Sequence, residues 1–454
     1  MNVIPPNILT IAGSDSGGGA GIQADLKTIA MLEGYGMSVI TALTAQNTKG
    51  VAGIEAPSPG FVAQQIETVL SDMPVHAAKT GMLFSAEIVD AVAEALQGTS
   101  FPLVIDPVCV SRSGHRLLKE DAVSVMAQKL LPLAAIVTPN RPEAEWLTGM
   151  RVETEDDVSA AMEKFMSMGA GAVLIKGGHF EGERMIDWFM DSSGKPLALE
   201  QERLDTEHTH GTGCTLSAAI AAGLGHGLDM RAAVRQAQDY LHLGLSAGYA
   251  LGGGYGPPHH LALKMIQRRR GEILQELARI GRRLKESPKM EFLVPEVRMN
   301  VGIALPFARG PMDVAAFSGR ITVSAEGGVM IPGPPAFGAS SHIAKVVLAA
   351  GRVVPGVDCA ANVRFNDLTL AALDKLGYVQ AWFDRADEPA GVKSIEGSSL
   401  EWGTHKALSE HPDPSTVVAV CDRGETGKEP MIRILARSAD ELSERLAALA
   451  GALD

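Results

Sequence analysis

Short apolar runs alternate with segments of helical periodicity over the first 256 residues. Five runs have the length and composition of buried β-strands, at residues 8–12, 38–43, 103–105, 136–138 and 173–175. In residues 21–32 and 87–96 apolar side chains recur every three or four positions, which predicts amphipathic helices. Strands that alternate with helices form a parallel sheet whose faces are covered by those helices. We therefore predict an α/β fold.

The composition changes after a Gly/Pro-rich segment at residues 251–258, LGGGYGPP. Residues 263–290 are rich in arginine yet keep apolar residues at helical spacing, which predicts a basic connector helix. Further strand-like runs occupy residues 301–305, 320–324 and 417–421, and helix-like segments occupy residues 341–350 and 440–450. We predict a first domain at residues 1–262 and a second, smaller α/β domain at residues 291–454.

The chain has 40 Lys and Arg against 53 Asp and Glu, a formal net charge of −13. Nucleic-acid phosphates and anionic lipids repel such a chain, so we expect neither a nucleic-acid nor a membrane partner. Any anionic ligand has to be held by a local group of donors.

The four cysteines are far apart and form no C-x-x-C pair, which argues against a disulfide framework and a zinc site. The first residues lack the basic and apolar regions of a signal peptide. The longest uncharged stretch, residues 241–263, is interrupted by Gly and Pro. We expect a cytoplasmic homo-oligomer that acts on small molecules.

Two glycine clusters occur where a strand leads into a helix. Glycine permits positive φ and lets backbone N–H groups approach a ligand. The first cluster, residues 13–21, fits neither a P-loop nor a dinucleotide motif, so a tight turn and a ligand loop both remain open. The second, Gly211-Thr212-Gly213, precedes a predicted helix and favours a phosphate cradle over a simple turn.

Cys214 follows the second cluster directly. A helix N-terminus favours a thiolate, so we expect Cys214 to be ionised readily and able to accept the proton of an attacking hydroxyl. A small buried apolar residue is the alternative interpretation.

Polar residues also stand where predicted strands end, the edge at which open α/β sheets collect functional groups. Asp106 and Lys176 are two of them, and the lysine could offset charge on ATP phosphates. Asn140 and Glu143 share a helical face after a third strand and could orient the water shell of Mg²⁺. Helix capping is the alternative for this pair.

Several longer motifs follow one another along the first domain. They read TIAGSDSGGGAGIQADLKT, VITALTAQNTKGV, KTGML, TPNRPEA, VLIKGGH and HGTGCTLSAA. With them, residues 8–260 resemble the hydroxymethylpyrimidine/phosphomethylpyrimidine kinases of thiamine biosynthesis, within the ribokinase-like superfamily. The resemblance implies a three-layer α/β sandwich that phosphorylates 4-amino-5-hydroxymethyl-2-methylpyrimidine twice, using ATP and Mg²⁺.

The resemblance also implies roles for individual residues. A pyrimidine pocket would be lined by Gly13, Asp25, Gln46, Met82 and Val108. The second glycine cluster, Gly211 to Gly213, would form an anion hole, and Cys214 would stand where most ribokinase-like enzymes carry a catalytic Asp. Some pyridoxal kinases share this cysteine, so pyridoxal is the alternative substrate.

The second domain offers cationic and hydrogen-bonding residues that suit a diphosphate. They are Arg320, His342, Asn362, Arg385 and Lys428. Each of them alone fits a structural role better than a functional one, so the residues predict only a candidate anion site.

Motifs of residues 294–450 extend this interpretation: GRI, IPGPPAFGASSHIA, AANVRFND, FDRADEP, EWGTHKAL and DRGETGKEP. They resemble the thiamine-phosphate synthase domain that archaea and some bacteria fuse behind this kinase. The resemblance implies coupling of the pyrimidine diphosphate with thiazole phosphate, with Arg320 and His342 as the catalytic pair and Asn362 and Lys428 as ligand-binding residues. A domain that only senses thiamine phosphate is the alternative.

Overall fold

The chain folds into two units, Met1–Lys264 and Met265–Asp454. The structure is a computed structural model, and it describes residues 4–109, 120–177, 184–393 and 398–453. Gly178 and His179, part of the VLIKGGH motif, lie outside these ranges. Within the described residues, no helix has the length and apolar character needed to cross a membrane.

The first unit contains nine strands and eight helices among its described residues. The strands are β1 (Asn7–Asp15), β2 (Tyr35–Asn47), β3 (Gly50–Glu55), β4 (Ala77–Thr80), β5 (Leu103–Ile105), β6 (Ile136–Val137), β7 (Val173–Ile175), β8 (Arg184–Met190) and β9 (Leu197–Glu202). The helices are α1 (Gly21–Met31), α2 (Pro59–Leu70), α3 (Ala86–Ala95), α4 (Glu120–Val125), α5 (Arg141–Thr148), α6 (Glu155–Ser167), α7 (Thr212–Gly225) and α8 (Met230–Ser246).

These strands form one sheet in the order β3-β2-β1-β4-β5-β6-β7-β8-β9. Six consecutive strands of this sheet run parallel to one another: β2, β1, β4, β5, β6 and β7. The three remaining strands, β3, β8 and β9, pair antiparallel with their neighbours. Helices α2, α3, α5 and α6 pack on one face, and α1, α7 and α8 pack on the other. The predicted three-layer α/β sandwich is confirmed.

The five strands and two helices predicted in this unit are all present. Strands such as β5 and β7 have every side chain buried, since neighbouring residues face opposite helical layers. Helix α3 begins after Ser85, whose hydroxyl accepts a hydrogen bond from the Ile88 N–H. Apolar runs between capping residues were therefore sufficient to predict these elements.

The second unit is built around a seven-stranded sheet. The strands of the whole unit, including two outside this sheet, are β10 (Val301–Ala304), β11 (Val314–Phe317), β12 (Thr322–Val323), β13 (Val329–Met330), β14 (Pro335–Phe337), β15 (Cys359–Arg364), β16 (Val379–Trp382), β17 (Val417–Asp422) and β18 (Met431–Ala436). Its helices are α9 (Ala262–Glu286), α10 (Ser341–Val353), α11 (Asp367–Lys375), α12 (Ala390–Lys393), α13 (Ser398–Ser409) and α14 (Ala439–Gly451).

The large sheet has the order β14-β11-β10-β15-β18-β17-β16, and β12 and β13 form a separate hairpin. All its neighbouring strands are antiparallel except β16 and β17. Helices α9, α11 and α14 cover one face, and α10 and α13 cover the other. The second region is therefore an α/β structure, as predicted.

The segment predicted as a basic connector is helical, but it is part of the second unit. Its apolar side chains are buried in the core of that unit with strands β10, β15 and β18. They are Ile273, Leu277, Ile280 and Leu284. On the polar face Arg269 forms ion pairs with Glu272 and Glu276. This helix thus completes one layer of the second unit, which begins at Met265.

We predict that Leu277→Ala destabilises the second unit by about 2–5 kcal/mol, because it removes a fully buried side chain from the core. Hydrogen exchange of peptides from β15 and β18 should become faster, while peptides from β1 and β5 keep their protection. Gln275→Ala, an exposed position on the same helix, is the matched control. Equal loss of protection in both units would contradict the assignment of α9.

Candidate active site

The two glycine-rich loops of the first unit pack against each other. Gly211 has φ +80°, and a Cβ there would lie 1.9 Å from the carbonyl oxygen of Gly19. A Cβ on Gly19 would in turn lie 2.5 Å from the ring of His210. Neither position has room for a side chain, so glycine is required for the two loops to meet.

The first loop is organised around its own carboxylate. Asp15 accepts backbone hydrogen bonds from Gly17, Gly19 and Ala20 at 2.7–3.0 Å. Burial opposes the charged carboxylate, but hydrogen bonds from His210 and the loop backbone prevail and lower the pKa of Asp15. Of the two interpretations left open for this cluster, the structure supports a turn, because these N–H groups are already occupied.

The second loop leads directly into helix α7, which begins at Thr212 after Gly211. No side chain caps this end of the helix. A Cβ built on Gly213 would lie 3.2 Å from Asp106 Oδ2 and 3.4 Å from Lys176 Nζ. The helix start therefore faces an ion pair at the carboxyl end of the sheet across a space that glycine keeps open.

That ion pair belongs to a cluster of three charged side chains. Lys176 Nζ lies 3.0 Å from Asp106 Oδ1 and 3.7 Å from Glu143 Oε2. Burial disfavours the charged ammonium, but the two carboxylates raise the pKa of Lys176 above its ordinary value. Burial raises the pKa of Glu143 to about 7, Lys176 opposes this shift, and the Asp106 carboxylate adds to it. Lys176 therefore stays protonated beside the start of α7, with its charge balanced by the carboxyl groups.

Asn140 and Glu143 form a capping box at the start of α5. The Asn140 side chain accepts from the Glu143 N–H at 3.0 Å, and Glu143 Oε2 accepts from the Asn140 N–H at 2.8 Å. This is the capping interpretation. No group of three or more His, Cys, Asp or Glu suited to a metal ion occurs among the described residues. Asp106 and Glu143 nevertheless suit a hydrated Mg²⁺, since their mutual repulsion favours a second cation nearby.

Cys214 lies in the first turn of α7 and is only partly accessible. Burial raises the pKa of its thiol to about 12, and the Asp25 and Asp106 carboxylates contribute to the shift. The Lys79 ammonium and a hydrogen bond from the Gly21 N–H act in the opposite direction. Our prediction of a readily formed thiolate is therefore wrong, because desolvation outweighs the helix N-terminus.

Asp25 is completely buried and does not border an open pocket. Its carboxylate accepts from Thr10 Oγ1 at 2.6 Å and from Lys79 Nζ at 3.2 Å. Burial raises the pKa of Asp25, although Lys79 opposes the shift. Burial disfavours the Lys79 ammonium too, but the Asp25 carboxylate raises the pKa of Lys79. These side chains form a buried charge pair that acts electrostatically on Cys214.

The other residues expected in a pyrimidine pocket do come together. A Cβ on Gly13 would lie 3.2 Å from Met82 Sδ, and Met82 and Val108 share a small apolar cluster with Ala42. Gln46, near the end of β2, lies with its Nε2 3.1 Å from His210 Nε2. The apolar wall and the Gln46 amide are the elements needed to hold a flat heterocycle with a polar edge.

In the second unit, Arg320 and His342 follow two neighbouring strands of the sheet. Arg320 is exposed, follows the end of β11 and donates to the Val297 carbonyl at 2.8 Å. His342 is in the first turn of α10, which follows the end of β14. Because β11 and β14 are antiparallel, their carboxyl ends are at opposite edges of the sheet.

The remaining polar residues of the second unit have structural partners. Asn362 accepts from the Asn300 N–H at 2.8 Å and donates to the Arg298 carbonyl at 3.0 Å. Lys428 Nζ lies 3.4 Å from Ser399 Oγ and 3.9 Å from the buried Glu388 carboxylate. Asn362 therefore fixes the backbone around β15, whereas Lys428, with 43% of its side chain exposed, remains accessible to a ligand.

Arg385 belongs to a buried ionic network that the sequence did not indicate. It donates from Nε to Asp422 Oδ1 at 2.7 Å, and Arg433 Nη2 lies 2.8 Å from Asp422 Oδ2. Burial opposes the charge of Asp422, but the two guanidinium groups lower the pKa of this carboxyl. The network ties the end of β17 to β18 and to the turn after β16.

Two family models match the chain, one in each unit. The model for phosphomethylpyrimidine kinase matches residues 15–259, and the model for thiamine-phosphate synthase ThiN matches residues 276–448. The chain belongs to the phosphomethylpyrimidine kinase family. Its second unit carries a ThiN domain behind the kinase domain.

Curated relatives agree with this assignment. The hydroxymethylpyrimidine/phosphomethylpyrimidine kinase of Streptomyces coelicolor is 49% identical over 258 residues, 57% of this chain and 95% of that protein. The thiamine biosynthesis bifunctional protein ThiED of Geobacter sulfurreducens is 46% identical over 256 residues, 56% of this chain and 52% of that protein.

Solved structures of similar fold include two pyridoxal kinases. The Bacillus subtilis pyridoxal kinase in complex with ADP has a TM-score of 0.54 and 35% identity, covering 58% of this chain and 100% of that chain. The Staphylococcus aureus pyridoxal kinase in complex with pyridoxal has a TM-score of 0.54 and 32% identity, covering 58% of this chain and 96% of that chain. These matches confirm the ribokinase-like fold of the kinase domain.

The sequence assigned no role to three ionisable residues of the kinase domain: Asp15, Lys79 and His210. All three lie in motifs of the kinase resemblance, but Lys79 and His210 contact carboxylates that are far away in sequence. His210 contacts a carboxylate 195 residues earlier, and Lys79 contacts one 54 residues earlier. The only sign in the sequence that such a residue matters is a charge inside a glycine loop or at the end of a buried strand.

The raised pKa of Glu143 makes stability depend on pH. The pKa is about 7 in the folded kinase domain against 4.5 for a free side chain, so the folded state binds this proton more tightly. We predict that wild type loses about 3 kcal/mol of unfolding free energy relative to Glu143→Gln as pH rises from about 4.5 to 7. The glutamine keeps the capping geometry and cannot ionise.

Urea unfolding at several pH values would measure this difference. Trp146 and Trp188 report on the kinase domain once Trp382 and Trp402 in the second unit are replaced by Phe. Contributions from other titrating groups cancel between the two proteins. A difference that stays constant from pH 4.5 to 7.5 would show that folding does not raise the pKa of Glu143.

Proposed function

We propose that the chain is a bifunctional enzyme of thiamine biosynthesis. The kinase domain phosphorylates 4-amino-5-hydroxymethyl-2-methylpyrimidine to its monophosphate and then to its diphosphate, with ATP as donor. The ThiN domain joins the diphosphate to thiazole phosphate and releases thiamine phosphate and diphosphate. The observation that carries the proposal is one chain with a charged cluster at an uncapped helix start in a kinase domain, followed by a ThiN domain.

The uncapped start of α7 provides the phosphate site. The first N–H groups of a helix lack partners within the helix and carry partial positive charge, which suits a phosphoryl group in transfer. We propose that Gly211, Thr212 and Gly213 bind this group through their backbone. Lys176, fixed between two carboxylates, adds a full positive charge next to Gly213. ATP phosphates would therefore lie between the helix start and the carboxyl end of β7.

Transfer requires the substrate hydroxyl oxygen to bond the γ-phosphorus while the bond from that phosphorus to the bridging oxygen of ADP breaks. The hydroxyl proton must leave, and we propose Cys214 as its acceptor. Because burial keeps this thiol protonated at rest, Cys214 must first release its own proton to water, to which the residue is partly accessible. The Lys79 ammonium and the Gly21 N–H stabilise the thiolate that results.

Mg²⁺ is implied by the kinase family and would neutralise phosphate charge when bound with ATP. We propose that Asp106 and Glu143 hold it through water molecules. Glu143 is partly protonated near neutral pH and would ionise fully when a second cation approaches, since opposite charge favours the carboxylate.

For the synthase step the leaving diphosphate needs cationic and hydrogen-bonding groups. We propose that Arg320 and His342 supply them and that Asn362 and Lys428 contribute to ligand binding. Arg320 and Lys428 have exposed side chains that can reach a ligand. Asn362 acts through the β15 backbone that it fixes.

The pyridoxal kinase structures favour a second candidate substrate for the kinase domain. Those structures are 32–35% identical to this chain, whereas the curated pyrimidine kinases are 41–49% identical over similar lengths. The higher identity supports the pyrimidine. A ThiN domain that binds thiamine phosphate without turnover is the second candidate for the second unit.

We predict that the purified chain makes thiamine phosphate from ATP, Mg²⁺, the hydroxymethylpyrimidine and thiazole phosphate, with products resolved by mass. Cys214→Ala should reduce the kinase rate about 10²–10⁴-fold by removing the proton acceptor. Arg320→Ala should leave the kinase rate unchanged and accumulate pyrimidine diphosphate. Arg279→Ala, an exposed arginine on α9, is the matched control for the second unit.

Each other outcome selects an alternative. If wild type stops at pyrimidine diphosphate, the second unit is a sensor or needs a partner. If pyridoxal is phosphorylated and the pyrimidine is not, the substrate assignment of the kinase domain is wrong. If Arg320→Ala forms thiamine phosphate as fast as wild type, Arg320 has no role in the coupling step.

A further inference from the structure

We propose that His210 is a positioning residue that fixes the orientation of the Gln46 amide and thereby links pyrimidine recognition to the anion hole. The inference rests on the proposed pyrimidine kinase activity, in which Gln46 pairs with the edge of the ring. His210 directly precedes Gly211, so one side chain and the backbone that follows it belong to two different parts of the site.

The imidazole lies between a carboxylate and an amide. His210 Nε2 is 3.1 Å from Asp15 Oδ2 and 3.1 Å from Gln46 Nε2. Asp15 already accepts three backbone N–H bonds, so its carboxylate acts only as an acceptor. His210 Nε2 must therefore carry a hydrogen and donate it to Asp15.

This assignment decides the orientation of the Gln46 amide. A protonated Nε2 has no lone pair for the Gln46 NH₂ group. On the other side, Thr44 Oγ1 lies 3.2 Å from Gln46 Oε1, yet the same hydroxyl donates to the Ser14 carbonyl at 2.9 Å. Its single hydrogen is used there, so it can only accept from Gln46.

Both conflicts disappear when the amide is rotated by 180°, a change that exchanges two atoms of nearly equal size. The amide oxygen then shares the single Nε2–H hydrogen of His210 with Asp15 in a three-centre hydrogen bond, and the amide nitrogen donates to Thr44. One N–H and one oxygen lone pair of the Gln46 amide then remain available for a ligand, side by side and in a fixed order. An aminopyrimidine edge offers a ring nitrogen acceptor beside an amino donor, which matches such a pair.

Residues 254–256 contact both His210 and the turn between β2 and β3, which lies next to Gln46. The His210 N–H donates to the Gly256 carbonyl at 3.0 Å, and the Tyr255 N–H donates to the Thr48 carbonyl at 3.1 Å. A Cβ on Gly254 would lie 2.0 Å from that Thr48 oxygen. Residues 254–256 therefore fix the turn between β2 and β3 against the loop that leads into the anion hole.

Nucleotide phosphates bound at Gly211 to Gly213 would thus order His210, and His210 would hold Gln46 ready for the pyrimidine. Binding at the two subsites should be cooperative, and the coupling must be equal in both directions. ADP should tighten the hydroxymethylpyrimidine by the same factor by which the pyrimidine tightens ADP.

Calorimetric titrations and steady-state rates of the full chain test this proposal. In wild type we expect each ligand to tighten the other about fivefold or more. His210→Leu should raise KM for the hydroxymethylpyrimidine about tenfold with a smaller change in kcat, and should reduce the coupling factor to about one. His210→Gln, whose amide nitrogen can replace Nε2–H as donor to Asp15, should restore much of both.

Two further variants separate positioning from folding. His226→Leu removes a histidine that contacts the Leu32 carbonyl at the other end of α7, and it should leave KM and the coupling factor unchanged. Gly254→Ala should raise KM for the pyrimidine like His210→Leu, although residue 254 touches no proposed substrate group.

A deamino analogue, 5-hydroxymethyl-2-methylpyrimidine, tests the order of donor and acceptor. Wild type should prefer the amino compound, and His210→Leu should lose most of this preference because the amide can turn. Unchanged KM, coupling and preference in His210→Leu would overturn the proposal, as would equal losses in His210→Gln. Failure of wild type to phosphorylate the pyrimidine at all would instead overturn the proposed function.

Discussion

The kinase domain depends on one close backbone contact, between the Gly19 carbonyl and the Cα of Gly211. The 1.9 Å that would separate this oxygen from any Cβ on Gly211 leaves glycine as the one residue that fits. The contact joins the turn before α1 to the turn before α7. Helix α7 is buried against the sheet along most of its length, so its uncapped start is held rigidly relative to the strand ends.

Two groups of buried charged side chains lie near the start of α7. Lys176 is balanced by Asp106 and Glu143, and Lys79 is balanced by Asp25. Buried charges are tolerated only when they are paired, and removing one partner exposes the other to the full cost of desolvation. The region therefore carries two ammonium groups while its net charge stays close to neutral. The same desolvation keeps Cys214 protonated at rest.

Local sequence predicted the elements, and it predicted less about the contacts between them. Apolar runs such as residues 103–105 and 173–175 coincide with β5 and β7, because every side chain of a central parallel strand is buried. Strand β14 begins with a proline and was not anticipated, since proline is compatible with a strand only at its start or on an edge. The Gly13, Met82 and Val108 cluster was anticipated from motifs alone.

The sequence could not show how burial and nearby charges balance in setting the pKa of a single side chain. The helix start at Cys214 was correctly located, but only the three-dimensional neighbours show that desolvation dominates its thiol. Asn140 and Glu143 would lie close together both as a magnesium site and as a helix cap. The reciprocal hydrogen bonds between them identify the cap. Arg320 and His342 follow strands β11 and β14, whose antiparallel pairing was invisible in the sequence.

Helix α9 has a consequence for how such a chain can be assembled from separate genes. Its four buried apolar residues belong to the core of the second unit, although the helix begins at Ala262, before the kinase domain ends. A ThiN domain transferred without this helix would expose those core contacts of β10, β15 and β18 to water. The recombination point that joins two such enzymes therefore has to fall before Ala262, where the helix begins, and not in the turn that follows the helix.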